Sequence, residues 1–240
     1  MRILVVSDIH GNIDALKAVV NSIKNIDNVI VLGDLVDYGP DPDLVVDFVR
    51  EHGYAVVMGN HDFAAAYNED CRCGPATKEL SVYTRKNITL RKLSRSDLQY
   101  LSSLPKELTI ELGSRRVLCV HATPRDPLFR YLYPWASPTD VKEEIASIAQ
   151  GYDLILLGHV HHQYLRMHRG LWIANPGSVG QPRDGDPRAA VAIASENGIT
   201  FTRVKYDIEP VLRKLREVID REDIYARLSL ILREGCVQVA

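Results

Sequence analysis

The chain has 240 residues, 46% of them hydrophobic and 25% charged. That balance excludes a disordered chain, and the length suffices to bury a core without disulfide staples. A formal net charge of −2 excludes a global basic field of the kind that gathers nucleic acid and leaves only a local patch open.

The chain opens on an apolar run, Ile3-Leu4-Val5-Val6, which reads as a buried strand over 3–7. The run meets Asp8 too soon to be the apolar core of a secretory signal, and no later stretch is long enough to cross a bilayer, so the expected location is the cytoplasm. Ile13, Leu16, Val19, Val20 and Ile23 then recur at helical spacing. A strand over 29–32, a helix over 42–51 and a strand over 55–58 follow. Residues 64–104 change character and predict a helical insertion, with Ser94-x-x-Asp97 and Ser96-x-x-Gln99 both able to cap a helix start.

Strands are predicted at 106–112 and 115–120, a helix at 139–149 and a strand at 154–157. Two hairpins follow: 163–168 with 171–174 around Arg169-Gly170, and 189–194 with 200–206 around Asn197-Gly198. From Ile208 the chain turns helical, with Pro210 near a helix start. The expectation is an α/β sandwich over 1–206 carrying the 64–104 insertion. A helical extension over 207–240 then packs on the domain or on a second copy, as in a homodimer.

Cys71 and Cys73 are too close in sequence for an ordinary strain-free disulfide. They offer half of a zinc site, yet no second Cys/His pair sits nearby, so surface loop thiols are the expected reading. Cys119 reads as a buried strand residue.

Five apolar strands each deliver polar residues at their carboxyl ends: Ser7-Asp8-Ile9-His10, Gly33-Asp34, Gly59-Asn60-His61-Asp62, His121, and Gly158-His159-Val160-His161. Ligands of α/β sheets gather just outside such ends. Asp8-x-His10 places two side chains on one side of an extended turn, within reach of one ion, and His159-x-His161 repeats the spacing. Glycines before Asp34, Asn60 and His159 allow sharp turns and close approach. Carboxylate, imidazole and amide oxygen together suit manganese first, with iron, zinc, nickel or cobalt as alternatives, over calcium or magnesium. Seven candidate ligands (Asp8, His10, Asp34, Asn60, His121, His159, His161) exceed one tetrahedral site. Two ions sharing a carboxylate would use them all, and a shared hydroxide would face the substrate.

In this ordered set the chain resembles the calcineurin-like metallophosphoesterases, whose pattern runs D-x-H, G-D-x-x-D, G-N-H-[E/D], a lone His, and G-H-x-H. All five elements stand in order between residues 8 and 161. The resemblance spans residues 1–206 and implies a four-layer α-β-β-α sandwich of two mixed sheets. It further implies one metal on Asp8, His10 and His161, a second on Asn60, His121 and His159, and Asp34 bridging them. His61 would protonate the leaving group or steady transition-state charge, and Asp37 would orient it. The plainer readings are a packed core residue for His121, a turn residue for Asp37 and a helix cap for Asp62. His52, His162 and His168 read as surface or outer groups.

Where Ser/Thr protein phosphatases carry Asp-Arg-Gly, this chain has Asp37-Tyr38-Gly39, which counts against that class. Gly39-Pro40, Tyr83-Thr84-Arg85 and the stretch from Asn175 to Arg183 look like the small prokaryotic phosphodiesterase branch, some members of which resemble dinucleoside tetraphosphatases. The substrate so implied is small and phosphorylated, with a dinucleotide as one candidate. Asn12 and Arg183 are the chosen phosphate contacts, with Arg125 and Arg130 behind them. An inactive scaffold is the rival from another class. The retromer subunit resembling this family is such a case and lacks the catalytic histidine, which is retained here as His61. A nuclease would call for a basic groove with stacking aromatics, whereas the 11 tyrosines read as dispersed, so nucleic acid is not the expected partner.

Overall fold

The computed structural model describes residues 1–148 and 151–237. From the N-terminus, strands and helices alternate as β1 (Arg2–Val6), α1 (Ile13–Ser22), β2 (Asn28–Val31), α2 (Pro42–Glu51) and β3 (Ala55–Val56). A helical stretch follows: α3 (Asn60–Tyr67), α4 (Pro75–Thr84), a π-helical turn (Arg85–Thr89), α5 (Leu90–Lys92) and α6 (Arg95–Ser103). Next come β4 (Glu107–Leu112), β5 (Arg115–Val120), α7 (Pro138–Glu144), β6 (Leu154–Leu156), β7 (Gln163–His168) and β8 (Leu171–Pro176). The chain closes with β9 (Ala189–Ser195), β10 (Gly198–Val204), α8 (Glu209–Val218) and α9 (Glu222–Glu234).

The strands form two mixed sheets, ordered β10-β9-β1-β2-β3 and β4-β5-β6-β8-β7. In each, three strands run parallel (β1-β2-β3 and β5-β6-β8) and the others pair antiparallel at the sides. Alternation along β1 explains the layering. Leu4 and Val6 pack outward on Leu16 and Val19 of α1 and Val45 and Val49 of α2. Ile3 and Val5 face Val117, Cys119, Leu154 and Leu156 of the second sheet. The far face of that sheet, with Leu118 and Ile155, is covered by Val141 of α7 and by Ile145. The four-layer α-β-β-α sandwich is thus the fold.

Several boundaries differ from expectation. The helical stretch begins at Asn60, not at 64, so Asn60 and His61 form the first turn of a helix and β3 shrinks to Ala55–Val56. Ser94 caps α6, its hydroxyl accepting from Asp97 N, and Ser96 does not. The helix expected over 139–149 is α7 followed by a 3-10 turn, Ala146–Ile148, and Ala149 lies outside the described residues. In the last hairpin Gly198 pairs with Ser195, which makes Glu196-Asn197 the turn. The C-terminal helices pack on their own chain, with Val211, Leu215, Leu228 and Ile231 sharing a core with Leu80, Ile88 and Tyr38. No helix among the described residues is long and apolar enough to cross a membrane.

Candidate metal centre

The loops after the parallel strands of both sheets converge at one end of the sandwich. Asp8 and His10 follow β1, Asp34 follows β2, Asn60 and His61 open α3, His121 follows β5, and His159 and His161 follow β6. None of these side chains is more than 4% exposed. Groups so buried require partners.

Two clusters result. Asp8, His10, Asp34 and His161 form one, and Asp34, His121 and His159 the other, with ligand atoms in each within 4.8 Å of one another. Asp34 stands in both, its Oδ2 lying 3.6 Å from His10 Nε2 and 3.3 Å from His121 Nε2. Asn60 joins the second, its Oδ1 lying 3.0 Å from His121 Nε2 and 3.1 Å from His159 Nδ1. The His159-x-His161 pair therefore splits between clusters instead of serving one ion.

His10 and His161 donate Nδ1–H to the carbonyls of Val36 and Gln181, at 2.9 and 2.6 Å. That choice of tautomer leaves two Nε2 lone pairs facing each other 3.1 Å apart, an arrangement that a cation between them relieves. Asp8 Oδ1 and His159 Nε2 are buried without any hydrogen-bond partner. The orphaned Asp8 acceptor, in a nitrogen and oxygen donor set, fits a divalent metal ion, and His159 faces the second cluster through Nδ1, which leaves its Nε2 as the N–H.

The charges agree. Burial pushes Asp8 up to about 7, with the Asp34 charge adding to it. Burial also holds His10 down at about 3, and His159 and His161 well below the usual imidazole range, so all three are neutral ligands. His121 is the exception: burial alone would lower it, but Asp34 and Asp8 raise it to about 9. In the metal-free chain the His121 proton therefore holds the place of a cation, and its stabilisation is full below about 6.5, the unfolded value, and lost as pH rises through about 9. Metal uptake at pH 7.5 is expected to expel that proton. Calorimetric titration with Mn²⁺ in two buffers of different ionisation enthalpy checks this: the apparent enthalpy should follow the buffer, and affinity should rise between pH 7 and 9. An enthalpy independent of buffer would contradict it.

The backbone is not extended here, contrary to expectation. Asp8, His10, Asp34, Asp37, Tyr38, His159 and His161 all adopt left-handed conformations, with φ between +48° and +69°. Asp and His tolerate this region better than bulky residues do, and Tyr38 is the outlier. At roughly 1–2 kcal/mol each, the sum rivals the net stability of a domain, about 5–15 kcal/mol. The surroundings must over-determine these turns. Gly180 N donates to Asp8 O (3.0 Å), Ser178 Oγ to Asp8 O (2.7 Å) and His10 N to Asp34 O (3.0 Å). Gly33 takes φ +85°, and a Cβ on Gly59 would overlap the Asp34 carboxylate. Asp62 caps α3 by accepting from Gly59 N (3.0 Å), and it also accepts from Asp34 N and Leu35 N, each at 2.8 Å. It fixes the Asp34 turn from behind.

His61 Nδ1 lies 2.7 Å from Asp37 Oδ2. Burial would raise the Asp37 carboxyl, but His61 and Arg85 outweigh it and hold it below the usual value. Two further residues hold Asp37, and neither has a sequence signal for that role. Arg85 Nε donates to Asp37 Oδ2 (2.9 Å) and Thr89 Oγ1 to Asp37 Oδ1 (2.8 Å). Both residues sit on the π-helical turn, whose extra residue aims them at one carboxylate.

The phosphate candidates divide. Asn12 is spent on structure: its Oδ1 accepts from Ala15 N at the start of α1, and its Nδ2 donates to Gly180 O and Tyr206 Oη. No donor remains for a phosphate, so that expectation is withdrawn. Arg183 stands at the site, its guanidinium carbon 5.6 Å from the Tyr38 ring centroid and its Nε buried without a partner. It places an arginine beside Tyr38, while the tripeptide Asp37-Tyr38-Gly39 itself carries none. Arg125 and Arg130 are paired with Glu143 and Glu144.

Cys71 and Cys73 are not surface thiols. Arg72 between them turns back at φ +52°, and the two are joined as a disulfide with Cα atoms 5.4 Å apart. Cys71 is fully buried, and its carbonyl accepts from Asn60 Nδ2 (2.8 Å), which turns the amide oxygen toward His121 and His159. Cys73 Sγ lies 3.3 Å from His61 Nε2.

A family model described as the calcineurin-like phosphoesterase superfamily domain matches residues 1–198. The protein MJ0912 of Methanocaldococcus jannaschii is 33% identical over 233 residues, covering 89% of this chain and 91% of its own length. A metallophosphoesterase structure from Sphaerobacter thermophilus superposes with a TM-score of 0.76 at 33% identity, covering 95% of this chain and 98% of that one. The protein PH1004 of Pyrococcus horikoshii shares the fold at a TM-score of 0.83 and 20% identity, with 99% of each chain covered.

Proposed function

Because the chain belongs to the calcineurin-like phosphoesterase superfamily, we propose that it hydrolyses phosphodiester or phosphoanhydride bonds of a small, nucleotide-like substrate. The observation that carries this reading is the pair of clusters sharing Asp34 beside the His61–Asp37 pair. Asp8, His10 and His161 would hold one divalent ion, Asn60, His121 and His159 the other, and Asp34 both, with manganese the first choice. Bound there, the ions would act as Lewis acids on phosphoryl oxygen and lower the pKa of water.

The chain's own groups supply the rest. Arg183 brings a fixed positive charge for phosphoryl oxygens, with Nε free to donate. His61 hands a proton to the leaving oxygen, or holds charge there, from Nε2. Asp37 keeps Nδ1 of that ring protonated and the ring in place. Stripping and restoring metals, then assaying bis(p-nitrophenyl) phosphate, diadenosine tetraphosphate and single-stranded DNA side by side, tests the proposal. Mn²⁺-dependent turnover with the dinucleotide preferred is the expected result. Bound metal with no turnover of any ester would replace it with the scaffold reading.

A further inference from the structure

The tyrosines are not all dispersed. Between β5 and α7 the run Tyr131-Leu132-Tyr133-Pro134-Trp135 puts its aromatic residues on one side. Leu132 is buried on the other side, and its carbonyl accepts from Tyr164 Oη at 2.6 Å. Arg166 Nη1 donates to Ala136 O at 2.8 Å, so the run is tied down at its end. Its rings form a ladder that starts at the metal centre. Tyr131 lies 4.1 Å from the His159 ring, Tyr133 is stacked on Tyr131 at 5.7 Å with planes 10° apart, and Trp135 is stacked on Tyr133 at 4.9 Å and 9°. The His162 ring stands edge-on to Trp135 at 5.2 Å.

Trp135 ends the ladder 68% exposed. An indole left in water at the mouth of a buried polar site is an apolar surface lacking its partner. The ladder lines a cavity of about 560 Å³ together with Arg183 and residues 74–77, within the range of small-molecule sites. Phosphate-binding charge and stacking rings thus open into one space. On the opposite flank Asp140, Glu143 and Glu144 border the same rings, with Arg130 there ion-paired to Glu144. A polynucleotide needs a basic track for its backbone, which this acidic flank denies.

We propose that Tyr131, Tyr133 and Trp135 are a base-stacking platform, and that the centre acts on nucleoside phosphates whose base lies against Trp135 while the phosphate meets Arg183. The proposal rests on the phosphoesterase reading but is tested apart from turnover. The chain has two tryptophans, and Trp172 does not line the cavity, so Trp172→Phe leaves Trp135 as the sole indole reporter. In Mn²⁺-reconstituted protein, adenosine 5′-monophosphate is expected to quench that emission and ribose 5-phosphate is not. By calorimetry, Trp135→Ala should weaken adenosine 5′-monophosphate by about 5-fold or more, with Trp135→Phe recovering most of the loss. The ratio of kcat/KM for diadenosine tetraphosphate over a ring-free alkyl phosphodiester should fall alongside.

Equal quenching by ribose 5-phosphate, no quenching, or an unchanged affinity in Trp135→Ala would overturn the platform while leaving the phosphoesterase reading intact. Tighter, salt-sensitive binding of oligothymidylate would overturn it in favour of a polynucleotide. Base-dependent quenching in a protein that hydrolyses no ester would uphold the platform and sink the phosphoesterase reading instead.

Discussion

Asp34→Asn is expected to empty both metal positions at once and to take phosphoester turnover to background. Asp34 is the one side chain present in both clusters, and its Oδ2 stands between His10 and His121. The amide keeps the shape and the acceptor for His61 N (2.9 Å) but removes the charge that faces both positions. His161→Ala provides the contrast: it touches only the first cluster, so half of the metal should remain. Metal analysis after dialysis reads both variants directly. An Asp34→Asn protein that still carries two equivalents would rule out the bridging position.

His61→Ala is expected to keep both metals and to lower kcat by about 10²–10⁴-fold, the range of a positioned proton donor. Its partners act through it. Arg85→Lys should leave metal content unchanged and lower kcat by about 10–100-fold, because a lysine cannot reproduce the fork that grips Asp37. KM should move little, since neither residue is a metal or phosphate contact. Removing Arg85 altogether would leave the buried Asp37 charge without its guanidinium partner, at up to about 3–5 kcal/mol, and confuse catalysis with folding. The two variants in one pH–rate series decide the matter. Full turnover in metal-replete His61→Ala would remove this histidine from the mechanism.

The seven side chains that the structure brings together were all legible because each follows an apolar strand, and strand ends in α/β sheets point at one place. The strands of the first half were legible for the same reason: their residues alternate or run apolar within short, clearly bounded segments. What the sequence hid is non-local or conformational. Arg85 and Thr89 reach Asp37 only through a π-helical turn about fifty residues away, which leaves no periodic trace. Asn12 is ambiguous from sequence because capping a helix and binding phosphate ask for the same amide chemistry. The left-handed turn at Asp8, which follows Ser7, has no preceding glycine to announce it. The aromatic run 131–135 shows in the sequence only as a spacing of two within a loop, which a count of tyrosines does not register.

The order of strands in the first sheet has a consequence for how the protein is made. β1 lies between β2 and β9, and β9 begins only at Ala189. The strand that positions Asp8 and His10 thus waits for most of the chain before its second edge is paired, and long-range pairings of this kind fold slowly. His159, His161 and Arg183 are likewise far in sequence from Asp8 and His10. The candidate metal centre therefore depends on contacts between segments far apart in sequence, and its ligands meet only once both sheets have formed.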